Sequence, residues 1–282
     1  MTDRSSLRTE LADGVFSIVL TRAEEYNTIT LQLRDDLRDA IDEAEASPDA
    51  RVILVTAEGP AFCAGYGLDW STEYQREQES AERVWDSVTD LRLMSSFVDV
   101  YMKLWHASKP TLVGVQGWCI AGGTDMVLCA DIIVAGESAV FGYPPARVWG
   151  VPTTPMWVYR MGLERTKRYL FTGDEIPAPE AARIGLILET VPDEELQDHV
   201  RALAQRMAKL PLSQLVMMKL LCNQVADNMG LASTKTLGTL FDGIARHTQE
   251  GLDFVRRAEE IGYREAVRER DDPFGDYGSR PR

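Results

Sequence analysis

Histidine and cysteine are scarce in this chain, three of the first and four of the second in 282 residues. His106, His199 and His247 share no ligand spacing, and Cys63, Cys119, Cys129 and Cys222 form no CxxC. A zinc site is therefore not expected. No apolar run approaches the roughly 18 residues that cross a bilayer, and the first residues do not have the form of a secretory leader. A reduced, cytoplasmic setting is the expectation. Positive charge is also short: 30 Lys and Arg face 44 Asp and Glu, a formal net charge of -14. That balance argues against nucleic acid or an anionic membrane as a partner. Neither GxxxxGKS/T nor GxGxxG is present, which excludes the usual phosphate cradles.

What remains is ordinary for a soluble globular protein, with 45% apolar and 26% charged residues. The length suits one large domain, or a domain with a helical appendage. The richest stretch is 111–145, TLVGVQGWCIAGGTDMVLCADIIVAGESAVFGYPP. TLVGV reads as a buried strand. Ala121-Gly122-Gly123 then leads into an apolar helix over 124–130. Small residues at a strand-to-helix junction bring bare N–H groups and the positive helix end to one spot, which can receive a polarised carbonyl oxygen. A second junction of this kind lies upstream. RVILVTA at 51–57 reads as a strand, and it leads to Ala61-Phe62-Cys63-Ala64-Gly65-Tyr66-Gly67-Leu68-Asp69. Two such loops, each offering one N–H, can hold one thioester oxygen between them.

Elsewhere the pattern alternates strand and helix, as in parallel α/β proteins. A strand is expected over 15–21, an amphipathic helix over 30–45, a polar loop at 71–80 and a long helix over 82–107. Short helices follow at 165–171 and 179–184, then a closing strand at 186–191. After Pro192 only helical runs remain, at 194–209, 212–228, 234–247 and 251–268. Residues 1–12 are polar and expected to fray unless they lead into the first strand. The tail, 271–282, has no periodicity and is expected to be loosely ordered.

Taken in order, Arg22-Ala-Glu-Glu-Tyr-Asn27, the 61–69 segment, Gln116-Gly-Trp-Cys-Ile-Ala-Gly-Gly-Thr-Asp125, Ala139-Val-Phe-Gly142 and Leu170-Phe-Thr-Gly173 resemble the crotonase superfamily of enoyl-CoA hydratases and isomerases. A further segment, Ala181-Ala-Arg-Ile-Gly-Leu186, continues the likeness, which covers roughly residues 10–260. It implies an α/β fold, a ββα spiral core over 1–191 with a helical trimerisation region over 192–270. It also implies a homotrimer or hexamer, and no cofactor beyond the coenzyme A of an acyl-CoA substrate. The oxyanion-hole N–H groups fall at Tyr66 and Gly122, and the Tyr66 ring is expected to narrow the acyl pocket. Arg22, the backbone of Ala64, Gly65, Tyr66, Gly67, Leu68 and Asp69, and Tyr143 fall in the substrate site. Coenzyme A is polyanionic, so its site needs local Arg or Lys; Arg22 reads equally as a surface charge.

Asp125 stands where hydratases of the family have a catalytic Glu. An Asp in the first turn of a helix is also favoured by the dipole, which would lower its pKa and weaken it as a base unless burial offsets this. The second catalytic Glu of hydratases falls at Pro145, which cannot ionise. Tyr143, Arg147 or a water are the alternatives there, and Arg147 is also a candidate partner for Asp125. Trp70, Trp149, Trp157 and Tyr143 read as pocket walls or as core. Arg256 and Arg257 read as a charged helix face, and Asp131 as a structural cap. The sequence therefore points to hydration of a 2-enoyl-CoA through Asp125. Double-bond isomerisation with a single base is the alternative reaction, and an acyl-CoA-binding protein without turnover the alternative class.

Overall fold

The computed structural model describes residues 4–67 and 85–277. Its strands are β1 (Leu7–Ala12), β2 (Val15–Leu20), β3 (Val52–Ala57), β4 (Ala61–Cys63), β5 (Thr111–Val115), β6 (Trp118–Ile120), β7 (Ile132–Gly136), β8 (Val140–Gly142), β9 (Ile176–Pro177) and β10 (Glu189–Val191). The helices are α1 (Leu31–Ala46), α2 (Ser87–His106), α3 (Gly122–Val127), α4 (Met156–Met161), α5 (Leu163–Leu170) and α6 (Ala178–Ile184). Five more follow: α7 (Leu196–Ala208), α8 (Leu212–Asn228), α9 (Leu231–Arg246), α10 (Gln249–Ile261) and α11 (Tyr263–Asp271).

The strands form two sheets. The larger has the order β1-β2-β3-β5-β7-β10, parallel except for the β1/β2 pair. The smaller runs β4-β6-β8-β9, parallel except for β8/β9. After β3, β5 and β7 the chain turns at once into β4, β6 and β8, leaving the large sheet for the small one. Repetition of that step winds the core into a spiral. Gly117 makes one of these turns possible: its φ is +56°, and a Cβ there would lie 1.8 Å from the Pro60 carbonyl oxygen.

Both faces of the large sheet are covered, which is why β3 and β5 read as unbroken apolar runs. Ile53, Val55, Val113 and Val115 share the main core with Leu33, Leu37 and Ile41 of α1. The alternate residues Leu54, Leu112 and Val134 meet Leu196, Val200 and Ala204 of α7. The first C-terminal helix is thus part of the core, and the packing does not divide at 191. Helix α1 begins where Thr30 Oγ1 accepts from Leu33 N at 3.1 Å, in line with the expected helix over 30–45.

Residues 7–12 do lead into the first strand, as β1 paired with β2 along its length. Other expectations are corrected. The helix expected at 251–268 is broken at Gly262, whose φ is +88°. Residues 271–277 of the tail are anchored: Arg147 donates to Asp271 at 2.9 Å and forks onto both oxygens of Asp276 at 2.9 and 2.8 Å. The 71–80 loop and the start of the helix expected at 82 lie outside the described residues, as do residues 278–282.

Candidate active site

The first loop of the site is held by the turn at 22–30. Asn27 donates through Nδ2 to the carbonyls of Glu58 and Ala61, each at 2.9 Å. Ala64 N donates to Tyr26 O at 3.1 Å. Ile29 N donates to Gly65 O at 2.8 Å, and Gly67 N to Ile29 O at 3.0 Å. In this parallel bridge the Tyr66 peptide groups point away from Ile29. Arg22 serves the same turn. It donates to Thr28 O at 2.9 Å and Thr30 Oγ1 at 3.3 Å, and pairs with Glu25. Sequence reading gave Asn27 no role, although its type and position in a turn are the signal for one.

The second loop follows β6. Ala121, at φ 52° and ψ −125°, caps α3, and its N–H donates to Gly142 O at 2.9 Å. Gly122 and Gly123 open the helix, so their N–H groups have no acceptor within it. The two loops meet. A Cβ on Gly65 would lie 2.9 Å from Ala121 Cβ and 3.6 Å from Gly122 N. A Cβ on Gly122 would lie 2.6 Å from Tyr66 Cε2 and 2.8 Å from Ile29 Cδ1. Tyr66 and Gly122 are therefore neighbours, with the tyrosine ring laid against the glycine. That ring also meets Phe97 edge-on at 5.4 Å, and its hydroxyl pairs with that of Tyr101 at 3.0 Å. Cys63 lies beside Gly123, but burial pushes its thiol up to about 12, so no thiolate stands here.

Asp125 sits in the first turn of α3 with no exposed surface. Its Oδ2 accepts from Thr153 N at 3.1 Å and from Thr153 Oγ1 at 2.8 Å. Its Oδ1 has no partner among the described residues. Its pKa is raised to about 8, by burial first and by the charge of Asp242, against the two Thr153 hydrogen bonds. Desolvation thus outweighs the helix terminus, and the group is a carboxylic acid at neutral pH.

Tyr143 is buried nearby and donates to Val151 O at 2.8 Å. Pro145, Tyr143 and Asp242 converge on Gly150: a Cβ there would meet Pro145 Cβ at 3.0 Å, Asp242 Oδ1 at 3.2 Å and the Tyr143 oxygen at 3.6 Å. Asp242, on α9, accepts from Val151 N at 3.3 Å and from Arg246 Nε at 3.1 Å. Arg246 in turn bonds both oxygens of Asp90 at 2.9 Å. Thr153 and Asp242 escaped sequence reading; the only trace was the i,i+4 spacing of Asp242 and Arg246, which also marks a solvated helix face.

The remaining candidates divide. Ala64, Gly65 and Gly67 line the first loop, while Leu68, Asp69 and Trp70 lie outside the described residues. Arg147 does not pair with Asp125; its carboxylate partners are Asp271, Asp276 and, at 3.7 Å, Asp174. Trp157 is core, and Trp149 packs against Phe254 at 5.7 Å in a C-terminal cluster. Asp131 ties Thr111 to Lys219 through its carboxylate, a structural part. Arg256 and Arg257 pair with Asp253, Glu260 and Glu269 on their helix faces. No His/Cys/Asp/Glu group among the described residues is arranged to hold a metal ion.

The sequence pattern of the enoyl-CoA hydratase/isomerase family matches residues 10–259. The chain is 30% identical over 259 residues to the enoyl-CoA hydratase domain-containing protein 3, mitochondrial, of Mus musculus, covering 90% of this chain and 83% of that protein. It is 30% identical to a probable enoyl-CoA hydratase of Rhodobacter capsulatus, over 73% of this chain and 76% of the other. Among solved structures, an enoyl-CoA hydratase from Mycobacterium smegmatis superposes with a TM-score of 0.92 at 42% identity, covering 98% of this chain and 96% of that one.

Proposed function

The chain belongs to the enoyl-CoA hydratase/isomerase family of the crotonase superfamily, and from that premise we propose that it adds water across the double bond of a 2-enoyl-CoA. The observation that carries this reading is the Asp125 carboxyl, fully buried, one helical turn from the Gly122 amide and bonded by Thr153 through one oxygen only, where burial pushes its pKa up to about 8. In this reading the thioester oxygen lies between the N–H groups of Tyr66 and Gly122. As water bonds to C3 and passes one proton to a neighbouring water, the π pair moves toward that oxygen, and an enolate forms. The two fixed dipoles stabilise it; one such donor is worth about 3–4 kcal/mol. The enolate then takes the Asp125 proton at C2. An acid that is neutral at pH 7 suits delivery of a proton better than removal of one, which favours hydration over isomerisation.

The Tyr66 ring against Gly122 narrows the acyl end of the site, and the loop that Arg22 braces faces the coenzyme. A cytoplasmic setting belongs to this proposal, and four free cysteines, three of them buried, accord with it. Self-association as a trimer or hexamer accords with the apolar side chains that α8 and α9 leave exposed, among them Met218, Leu221 and Phe241.

The test follows the loss of conjugated enoyl-thioester absorbance with crotonyl-CoA and a longer 2-enoyl-CoA. Wild type is expected to turn over, and Asp125→Asn to lose about 100-fold or more while still binding the product ester. Binding without turnover in either protein overturns hydration; the same proteins on a 3-enoyl-CoA then separate an isomerase from a binding protein.

A further inference from the structure

The hydration step described above leaves the attacking water with no residue to hold it, because Pro145 carries no acid. We propose, resting on that reading, that Asp242 of α9 is the second carboxylate of the site: it holds the water and takes up its proton while Asp125 supplies the proton to C2. Such an acid is missing from the wall at 145 and arrives from the opposite wall. Asp242 Oδ1 and Pro145 Cβ lie within 3.2 Å of one point beside Gly150, with the Tyr143 oxygen 3.6 Å from it.

The two acids are held in one frame. Residues 151–153 are strung between them, with Val151 N donating to Asp242 Oδ1 at 3.3 Å and Thr153 N to Asp125 Oδ2 at 3.1 Å. Thr239, on the same helix as Asp242, reaches the Thr153 carbonyl at 3.5 Å. A fully buried Asp125 Oδ1 without a partner among the described residues leaves an acceptor-or-donor position open beside this frame.

What surrounds each acid differs. Asp125 has Thr153 and, among the described residues, no cation bonded to it, whereas Asp242 Oδ2 accepts from the Arg246 guanidinium at 3.1 Å. The groups facing Asp242 are Arg246 on its own helix, Asp90 of α2, Asp125 of α3 and the hydroxyls of Tyr66 and Tyr143. Burial raises the pKa of Asp242 and Arg246 opposes the rise. The Arg246 guanidinium favours the charged form of Asp242, whereas Asp125 is bonded by the neutral Thr153, so the surroundings differ in the sense that base and acid roles require. The balance closes: one O–H bond of water breaks toward Asp242 as its oxygen bonds C3. The π pair passes through the thioester oxygen and returns to form the C2–H bond with the Asp125 proton. Asp242 ends protonated and Asp125 ionised, and proton exchange with solvent restores both.

The experiment compares two reactions of the whole protein. Hydration of crotonyl-CoA needs both acids; exchange of the C2 protons of butyryl-CoA with deuterium oxide needs only Asp125 and the two amides. Asp242→Asn is expected to slow hydration about 100-fold or more and leave exchange within about 3-fold of wild type, while Asp125→Asn loses both. Asp90→Asn is the gentler variant: it frees Arg246 for Asp242, lowers the Asp242 pKa and moves the acid limb of kcat/KM to lower pH. Hydration by Asp242→Asn near the wild-type rate, equal loss of both reactions, or an acid limb unmoved by Asp90→Asn overturns the assignment alone. A wild type that exchanges protons but hydrates nothing overturns the hydration reading and this assignment together.

Discussion

Asp125 shows how two local effects compete at a single carboxyl. A helix first turn lowers an acid's pKa through the dipole and free amides, by fractions of a kcal/mol up to about 2. Complete removal from water raises it by several units. Here burial wins and the pKa reaches about 8. As a proton donor the group works in its neutral form, so kcat/KM for hydration is expected to fall as pH rises through about 8. Thr153→Val deletes the hydroxyl bond at 2.8 Å that favours the ionised form. That variant is expected to move the alkaline limb to higher pH, and a pH–rate profile checks it. Gly122→Ala is expected to be doubly harmful. The methyl would meet Tyr66 and Ile29 inside 3 Å, costing about 1–3 kcal/mol in a thermal melt. Displacement of the amide lowers kcat by about 100-fold. The two strand-end loops were legible because small residues follow a strand there, whereas the positions proposed at Tyr66, Gly122 and Asp125 came from the likeness to the family. The raised pKa of Asp125 was not legible, because burial belongs to the packing of α3 against α2 and to Thr153 rather than to its own turn.

Among the elements, those with a long period were visible in the chain and those without were not. β3 and β5 declare themselves by unbroken apolar runs, and α1 by leucines and isoleucine at helical spacing with a Thr cap. The small sheet is built from strands of two or three residues, too short for any alternation to register. Its strands exist because glycine turns such as Gly117 return the chain beside its own neighbour. The clasp between the 144–147 turn and residues 271–277 was equally hidden, since it joins segments over 120 positions apart. Arg147 is 2% exposed at its side chain and Asp271 1%. Arg147→Ala would take from buried Asp276 the cation that forks onto it and leave Asp271 with Arg270 alone, at about 3–5 kcal/mol. The expected signs are a lower denaturant midpoint and faster proteolysis after residue 270. Arg147→Lys recovers only part of the loss, because an ammonium cannot fork onto Asp276.

At the scale of the whole molecule, the outer faces of α8 and α9 carry more apolar surface than an isolated chain usually shows. Leu220, Leu221, Val225 and Met229 are each more than 60% exposed, and contiguous patches of this kind mark association surfaces. Leu221→Glu with Val225→Glu is expected to shift sedimentation from an oligomer toward the 31.5 kDa chain. A wild type that sediments at that mass at micromolar concentration would remove self-association from the proposal. A last consequence follows from the acid buried in the first turn of α3. Unfolding returns Asp125 to water, where its pKa is near 3.8 rather than about 8, so between those values the unfolded chain binds fewer protons than the folded one. Stability contributed by this site therefore declines as pH rises across that window, and every molecule that melts near pH 6 hands a proton to the buffer. Calorimetric heats of unfolding in phosphate and in a buffer of large ionisation enthalpy should differ accordingly, and Asp125→Asn should bring the two closer together.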